Sequence, residues 1–550
     1  GFAVYGGAAS ADYPGSIGSA TGNMVNISGG EVNGDVFGGG GWSKSLTTAG
    51  VATGNFVDIS GGMITGNVYG GEGYNYEASG EATATWNTVT ISGSPVFGAG
   101  TELYGGIAWG QGDDFTGNTL NVRTSGLTVH GLYNFERLNF FLPQGLSGGA
   151  TVLTVTDVAA ISGSAVEVEV AGSASPLALG DEVILIDAGT LSGSPANWQT
   201  SGLGSQGVSL LYEFDLLVDG NRLKAVVAKT AINERARALS EGLVAGLGLL
   251  SLGADLIEGQ GLDGAWRAGV RGAALNGAGW LPFWAFSASQ SRLESGSHVD
   301  IGGFSVLAGV AKRFEVGGGA LTAGPFLEYG RGSYDTYNSF ASSLPVHGDG
   351  QASHSGGGLL ARLDLPGGPN ILHFELSARA GRLRNEFGSQ DLRSLAGVAA
   401  AYGYSAPYYG LHAGAGYLLG LGEATSLDMY ARYLWTRQKG SETALSTGER
   451  ARFDDADSSR LRLGARVTAS LGEKASVHAG AAWEHEFDGL ARASLGGREV
   501  EPPSIKGDAG IGELGLTMMP AGGFSVDLNL KGFVGKRKGG TASLFFRLEF

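Results

Sequence analysis

Two kinds of hydrophobic pattern divide this chain. In the first 126 residues, apolar positions alternate over only a few residues and recur at a fixed spacing, as in Val25/Ile27 and Val57/Ile59. From about Trp280 onward, alternation runs for ten or more residues at a time between Gly-, Pro- or charge-rich segments. Because a period of two is typical of β-strands, both parts are predicted to be all-β.

The short strands of the first part belong to a repeat. Residues 21–30 (TGNMVNISGG), 53–62 (TGNFVDISGG) and 85–93 (TWNTVTISG) follow one another at an offset of 32 residues. A fixed period of this size indicates a stacked solenoid, whose turns bury one face on their neighbours. We predict a right-handed parallel β-helix with Gly-rich repeats over residues 1–126. Residues 127–229 lose the period but keep strand-like runs, and are predicted to cap the stack.

A single helix is predicted between the two parts, from Asn233 to Glu258 within a linker segment spanning residues 230–262. Good helix formers follow Asn233, which is a plausible N-cap residue. The uncharged stretch from Gly242 to Ala254 is too short to cross a bilayer unaided. Its glycines weaken a free helix but permit close contacts, so we expect an enclosing environment.

The long alternating segments predict a transmembrane barrel over residues 263–550. In residues 460–471, leucine, alanine and valine occupy one face while arginine, glycine and small polar residues occupy the other. An arginine facing lipid at mid-depth costs about 2–4 kcal/mol, so the charged face is predicted to line the lumen. The predicted lumen-facing residues are Glu375, Arg379, Arg432, Arg460, Arg462, Arg466 and Glu484. Twelve strands are expected, beginning near residues 279, 298, 319, 352, 370, 406, 424, 458, 475, 508, 523 and 541.

The last predicted strand ends the chain on an aromatic residue. Its apolar face comprises Ala542, Leu544, Phe546, Leu548 and Phe550. It resembles the terminal strand that the barrel-assembly machinery of Gram-negative bacteria recognises, and these residues are the predicted assembly signal.

Composition and charge exclude several classes of protein. Glycine supplies 99 of the 550 residues, and no cysteine is present, which rules out disulfides, thiolate metal sites and a cysteine nucleophile. The net charge is −16, and residues 1–230 hold 6 basic and 20 acidic residues. Neither half has the basic face that nucleic-acid binding requires.

The order of solenoid, helix and twelve-stranded barrel resembles the monomeric autotransporters of type V secretion. Segments such as FLEYGRGSYD (326–335), GLHAGAGY (410–417) and EHEFDG (484–489) look like autotransporter translocator segments. The resemblance implies an outer-membrane protein whose barrel carries its own passenger to the cell surface. It also implies an autochaperone-like junction within residues 127–228.

The same resemblance implies that the linker helix threads the barrel lumen, with Asn233, Glu241, Gly246 and Asp255 as its lumen residues. The partners it implies are outer-membrane lipid, including lipopolysaccharide, the barrel-assembly machinery and periplasmic chaperones.

Candidate chemistry in the passenger is sparse. His130 is its only histidine and no serine-nucleophile motif accompanies it, so a Ser-His-Asp hydrolase is disfavoured. The acidic turn from Gly110 to Asp114 is read as a polar turn rather than a Ca²⁺ site. Asn233 is a candidate for the self-cleavage seen in some autotransporters, and the alternative is a simpler role as the N-cap of the helix. We therefore predict no enzyme, no cofactor and no metal.

The passenger is expected to act as an adhesin or self-association module. Its ligand would be a host glycan, a host protein or a neighbouring copy, and not a nucleic acid. The alternative is a porin-like outer-membrane channel whose N-terminal β-solenoid is only a cap.

Overall fold

The computed structural model describes the chain except for residues 1–2, 14–15, 78, 172–176, 198–200, 275–278, 342, 395–396, 473, 519–523 and 549–550. It comprises two compact units, Gly1–Ile232 and Asn233–Phe550. The predicted fold class is confirmed: a parallel β-solenoid, a helix and a closed twelve-stranded antiparallel barrel.

The solenoid stacks short parallel strands at the spacing that the repeat predicts. Phe56 pairs with Met24 on one side and with Thr88 on the other, so each step is 32 residues. Its strands are Val4–Tyr5, Ala8–Ala11, Gly18–Thr21, Met24–Val32, Val36–Phe37, Gly40–Ser43, Gly50–Thr53, Phe56–Ile64, Val68–Tyr69, Glu72–Asn75, Ala82–Thr85, Thr88–Ile91, Val96–Phe97, Glu102–Tyr104, Ile107–Trp109, Thr119–Val122, Leu127–Val129, Gly131–Tyr133, Arg137–Leu142, Thr151–Ala160, Ala165–Val170 and Glu182–Ser192.

The pairing pattern changes at the end of this unit. Ser201–Gln206, Leu210–Asp219 and Arg222–Ile232 form an antiparallel meander, and Arg222–Ile232 also pairs antiparallel with Glu182–Ser192. Parallel stacking thus stops here, because the strands of this meander pair with one another in the antiparallel direction. This arrangement covers the apolar interior where the stack ends.

Two ladders run along the solenoid. The buried side chains of Asn55 and Asn87 and the part-buried one of Asn23 form a chain in which each amide donates to the next carbonyl oxygen at 2.9 Å. The chain continues from Asn87 to the buried Asn118 at 3.3 Å. These amides also donate to strand carbonyls of adjacent turns, so the ladder satisfies polar groups that the stack buries.

The second ladder is aromatic. The rings of Tyr5, Phe37, Tyr69, Tyr104 and Tyr133 stack one above another, with successive centroids 4.4, 4.6, 4.8 and 4.9 Å apart. Spacing of this size matches the separation of hydrogen-bonded strands, so one ring per turn suffices to continue the stack.

The helical segment of the second unit is longer than predicted. It consists of a 3₁₀ segment Glu234–Ser240, helix α1 (Glu241–Leu256), a π-helical turn Ile257–Gly261 and helix α2 (Leu262–Ala274). The predicted end at Glu258 is therefore too early. Gly259, with φ −96° and ψ −105°, kinks the helix without ending it, since α2 packs its apolar face on the barrel wall.

The barrel strands are β1 (Leu281–Glu294), β2 (His298–Val316), β3 (Gly319–Asn338), β4 (Val346–Gly367), β5 (Asn370–Arg393), β6 (Ala399–Gly420), β7 (Thr425–Gln438), β8 (Ala456–Ser470), β9 (Ala475–Glu486), β10 (Gly507–Met518), β11 (Phe524–Gly535) and β12 (Arg537–Leu548). Strand β1 pairs antiparallel with β12, which closes the barrel. Four of the twelve predicted starts agree to the residue, at His298, Gly319, Asn370 and Ala475.

The two ends of the barrel differ. At one end the strands are joined by short turns, such as Gly317–Gly318 between β2 and β3. At the other end, the connections after β7 and β9 carry four short strands, Ser441–Ala444, Arg450–Phe453, Ala493–Leu495 and Arg498–Val500, which form one sheet. We call these the turn end and the loop end.

Candidate functional site

Helix α1 occupies the barrel lumen, and all 16 of its residues are buried. Its glycines permit this fit. A Cβ on Gly248 would lie 2.5 Å from Ile301 Cδ1, and one on Gly246 would lie 2.7 Å from Gln438 Oε1. A cavity of about 40 Å³ remains beside Gly248 and Ser251, which is room for a few water molecules at most.

Two carboxylates on the lumen helix face a cluster of cations on the barrel wall. Asp255 accepts hydrogen bonds from Arg460 at 2.9 Å, Arg462 at 3.0 Å and Arg537 at 2.6 Å. Glu258, one helical turn further on, accepts from Arg432 at 2.6 Å. Because residues three apart share a helix face, both acids point toward the same side of the barrel.

The Glu258 carboxylate has two further cationic contacts. Lys531 Nζ lies 3.3 Å from it, and Arg462 Nη1 also donates to it. Two wall carboxylates pair with the same arginines: Glu375 accepts from Arg432 Nε at 2.9 Å, and Glu484 accepts from Arg462 Nη2 at 2.6 Å. Buried charges persist only when they are paired in this way. The network, which we call the lumen cluster, therefore requires the helix acids as well as the wall.

A second set of contacts holds the backbone of α1 midway along the lumen. Arg379 donates to the Leu250 carbonyl oxygen at 2.7 Å and to Glu328 at 3.0 Å. Tyr408 donates to the other Glu328 oxygen at 2.7 Å. A wall arginine thus contacts a main-chain group that any residue at position 250 would present.

The start of the helical segment lies at the loop end. The Asn233 side chain accepts from the Arg235 amide at 3.1 Å, as an N-cap does. Arg235 donates to the Asp391 carbonyl oxygen at 2.8 Å, and Arg237 pairs with Glu501 at 3.1 Å. Asp391 belongs to the end of β5, and Glu501 follows the loop sheet.

Two buried contacts lie where the 3₁₀ segment passes into α1. Glu241 accepts from Ser295 Oγ at 2.9 Å, and Tyr402 donates to the Leu239 carbonyl oxygen at 2.6 Å.

Helix α2 lies at the turn end. Trp266 Nε1 donates to Asp364 at 2.6 Å, and Arg267 pairs with Asp527 at 2.7 Å. The direction of the segment is therefore fixed: the chain enters the lumen from the loop end and leaves it at the turn end, where β1 begins.

The structure places the predicted lumen residues as follows. Arg432, Arg460, Arg462, Glu484 and Glu375 belong to the lumen cluster. Arg379 contacts α1 in the midsection, while Arg466 pairs with Glu513 nearer the turn end. On the helix, Asp255 is central to the cluster, and Gly246 and Glu241 line its buried surface.

The predicted assembly signal is only partly described. Ala542 and Leu544 lie in β12, with Ala542 exposed on the outer surface and paired with Ala288 of β1. Phe546 and Leu548 are in the same strand by backbone pairing, and Phe550 lies outside the described residues. The assembly role of this strand stays a prediction.

Sequence reasoning missed four residues of the lumen contacts: Glu258, Glu328, Lys531 and Arg537. Their signals were present. Lys531 lies opposite the buried Glu513 in the strand register, Arg537 shares the inward face of β12 with Ser543 and Phe545, and Glu258 lies three residues after Asp255. The alternation of inward and outward positions along each strand predicts that the three strand residues face the lumen, but it does not identify Glu258 on the helix.

The remaining candidates lie in the passenger. His130 Nδ1 contacts Thr156 Oγ1 at 3.1 Å on an exposed edge. Asp113 accepts from the amides of Phe115 and Thr116, which is the geometry of a polar turn. In the described residues, no group of three or more His, Cys, Asp or Glu side chains could hold a metal ion.

Comparison with known proteins agrees with this architecture. Residues 280–531 match the family model of the autotransporter β-domain. The chain is similar in structure to the β-domain of the Bordetella autotransporter Brka, with 16% identity, a TM-score of 0.39, and coverage of 49% of this chain and 98% of that one. It is also similar to the transport unit of AIDA-I from Escherichia coli, with 13% identity, a TM-score of 0.42, and coverage of 49% and 90%.

A third solved structure, the translocator domain of NalP from Neisseria meningitidis, matches with 16% identity and a TM-score of 0.39 over 58% of this chain and 99% of that one. No curated protein sequence matches the chain.

A twelve-stranded barrel with charged residues inside, apolar residues outside and a helix through its lumen defines an outer-membrane translocator. Residues 280–531 are an autotransporter β-domain, and a β-solenoid precedes this domain in the chain.

Proposed function

We propose that this barrel anchors in the outer membrane and displays its own solenoid on the cell surface. The observation that carries the proposal is the direction of the lumen helix. Its first residues contact Asp391 and Glu501 at the loop end, and α2 contacts Asp364 at the turn end. Outer-membrane barrels place short turns in the periplasm and long loops outside. The chain before Asn233 therefore emerges on the extracellular side.

The export step follows from the same geometry. A lumen that one helix fills has no room for a folded solenoid, so the passenger crosses as an unfolded chain. The absence of cysteine removes any crosslink that would block this transit. Folding outside, beginning from the cap in residues 127–229, stabilises the exported state and makes transit one-way. The barrel itself depends on the barrel-assembly machinery and on periplasmic chaperones before it reaches the membrane.

Surface display is tested by protease added to intact cells that express the full chain. We expect the passenger to be degraded while the barrel stays protected, and we expect no degradation of a periplasmic marker protein. A passenger that resists protease in intact cells and becomes sensitive only after the outer membrane is permeabilised would contradict the proposal.

For the displayed passenger we propose a contact role, as an adhesin or self-association module, and no catalysis. The support is a set of large apolar side chains on its outer surface. Met24 and Phe56, which are register partners on neighbouring turns, are 58% and 41% exposed, and Trp86 and Trp109 are 56% and 51% exposed. Adjacent exposed apolar residues mark contact surfaces on soluble domains.

Cell clumping and adhesion to glycan- or protein-coated surfaces test this role. Met24→Asn with Phe56→Asn should reduce clumping or adhesion, whereas Asn26→Ser with Asp58→Ser, at register partners exposed on the same strands, should not. Equal adhesion of both double variants and the wild type would refute a contact role for this surface.

A porin-like channel, the alternative, would require an open lumen. Conductance of liposomes that contain the full chain or a variant lacking residues 230–260 distinguishes the two. The translocator proposal expects a closed full chain and a conducting deletion variant.

A further inference from the structure

The outer wall of the barrel carries a groove of about 540 Å³ whose side chains are largely polar and basic. It crosses β3, β4 and β5, and its lining includes Arg331, Gln351, Ser353, Arg382, Arg384 and Glu386. We call this the basic groove. It holds three arginines and one glutamate among its lining residues, on a surface that elsewhere presents leucine, phenylalanine and tyrosine.

The strand register brings two of these arginines into one row. Arg331 of β3 lies opposite Ser353 of β4, which lies opposite Arg384 of β5. Two strand spacings of about 4.8 Å put the two Arg Cα atoms about 10 Å apart, with a serine hydroxyl between them. Long guanidinium side chains easily span that gap and can converge on one ligand group.

The hydrogen-bond partners of two groove arginines are neutral side chains. Arg331 donates to the Gln351 side chain at 2.9 Å, and Arg382 contacts Ser405 Oγ at 3.4 Å. Within the part of the chain that the structure describes, none of the three arginines pairs with a carboxylate.

Other arginines on the outer wall near the loop end behave differently. Arg292 pairs with Asp300 at 2.7 Å, and Arg437 pairs with Asp457 at 2.9 Å. The arginines of the basic groove therefore differ from Arg292 and Arg437 in lacking an acidic partner.

The position of the basic groove along the barrel axis indicates which kind of anionic group it would bind. Leu327, which is 72% exposed, belongs to the apolar belt, and Tyr329, 42% exposed, follows it on the same face of β3. Arg331 is the next outward residue toward the loop end. An aromatic residue at the edge of an apolar belt marks the membrane interface, and arginine just beyond it lies at the level of lipid headgroups.

We propose that the basic groove binds the phosphate groups of a phosphorylated glycolipid of the outer leaflet, which in a Gram-negative outer membrane is lipopolysaccharide. Arg331 and Arg384 present planar forks that match phosphate oxygens, and Ser353 adds a donor between them. Glu386 and Gln351, one row further out, face the sugar part of the headgroup. The proposal rests on the proposed function in one respect, namely that the loop end faces the cell exterior.

Native mass spectrometry of the detergent-purified full chain tests this site with diphosphorylated lipid A, fully dephosphorylated lipid A and inorganic phosphate as probes. The wild type should retain the diphosphorylated form in preference to the dephosphorylated one. Arg331→Gln with Arg384→Gln should weaken that binding by roughly tenfold or more, because two charge-assisted contacts are lost. Lysine at both positions, which keeps charge but loses the fork, should give an intermediate loss.

Arg292→Gln with Arg437→Gln is the matched control, since it makes the same charge change on the outer wall at ion-paired arginines, and it should bind as the wild type does. Heat-modifiable migration on gels confirms that each variant is folded. Equal retention of the two lipid forms by the wild type, or unchanged binding by the Arg331/Arg384 variant, would overturn the proposal. Competition by millimolar inorganic phosphate would reassign the site to free phosphate. These measurements use purified protein, so they do not depend on whether the passenger reaches the surface.

Discussion

Replacing Asp255 by asparagine should release the lumen helix. The Asp255 carboxylate accepts from three arginines at 2.6 to 3.0 Å, and all four side chains are at least nine-tenths buried. In the substituted protein Arg460 and Arg462 keep Glu484 as a partner. Arg537 keeps no carboxylate among the described residues, so a buried cation is left without its counter-charge.

The size of the effect follows from that orphaned charge. Removing one partner of a buried ion pair destabilises by about 3–5 kcal/mol. With about 1.4 kcal/mol per factor of ten, the equilibrium between a lumen with the helix docked and one with it released shifts by about two to four orders of magnitude. Asp255→Asn combined with Arg537→Gln removes the orphaned cation as well, and should recover a large part of the loss.

Single-channel recording in planar bilayers measures this equilibrium as the fraction of time in an open state. We expect Asp255→Asn to open far more often than the wild type, and the double variant to fall between them. Asp335→Asn, on the exposed outer face of β3, is the matched control and should stay closed. If Asp255→Asn is as closed as Asp335→Asn and unfolds at the same temperature, the lumen cluster does not hold the helix.

Three further predictions concern packing, the amide ladder and pH. Gly248→Val places atoms against Ile301 and should destabilise the barrel by about 1–3 kcal/mol, measured as a lower unfolding temperature in detergent. Asn87→Ala leaves ladder partners unsatisfied and should destabilise the passenger by about 1–3 kcal/mol in denaturant titration of the full chain, while the exposed Asn26→Ala should not. Burial raises the pKa of the Glu72 carboxyl. Its contribution to stability is therefore greatest below its unfolded pKa and is lost as pH rises through the raised value, and Glu72→Gln should abolish this pH dependence.

The barrel could be predicted closely from the sequence because each of its strands obeys one local rule. A strand in lipid must alternate, and its charged residues must face inward, so Arg460 and Arg462 reveal both the strand and the lumen side. The solenoid was predictable for a related reason. Because the repeat recurs every 32 residues, residues that are 32 apart are expected to pair in neighbouring turns, and Met24, Phe56 and Thr88 do so.

The contents of the lumen were harder to predict because they depend on contacts between distant positions. Gly259 and Gly261 interrupt the local helix signal before α2, and the packing of α2 on the barrel wall depends on residues that are distant in sequence. Arg537 likewise shows its role only when Asp255, 282 residues earlier, is placed beside it. The basic groove required the register of three strands, because Arg331 and Arg384 are far apart in sequence.

The asparagine ladder has a consequence for how the number of solenoid turns changes during evolution. Asn23 and Asn55 each donate to the rung 32 residues further on. Recombination that inserts or deletes a whole 32-residue repeat would therefore leave the rungs matched. Each added turn extends the stack by about 4.8 Å. Insertion or deletion of whole repeats would thus change the length of the solenoid in uniform steps without redesigning its interior.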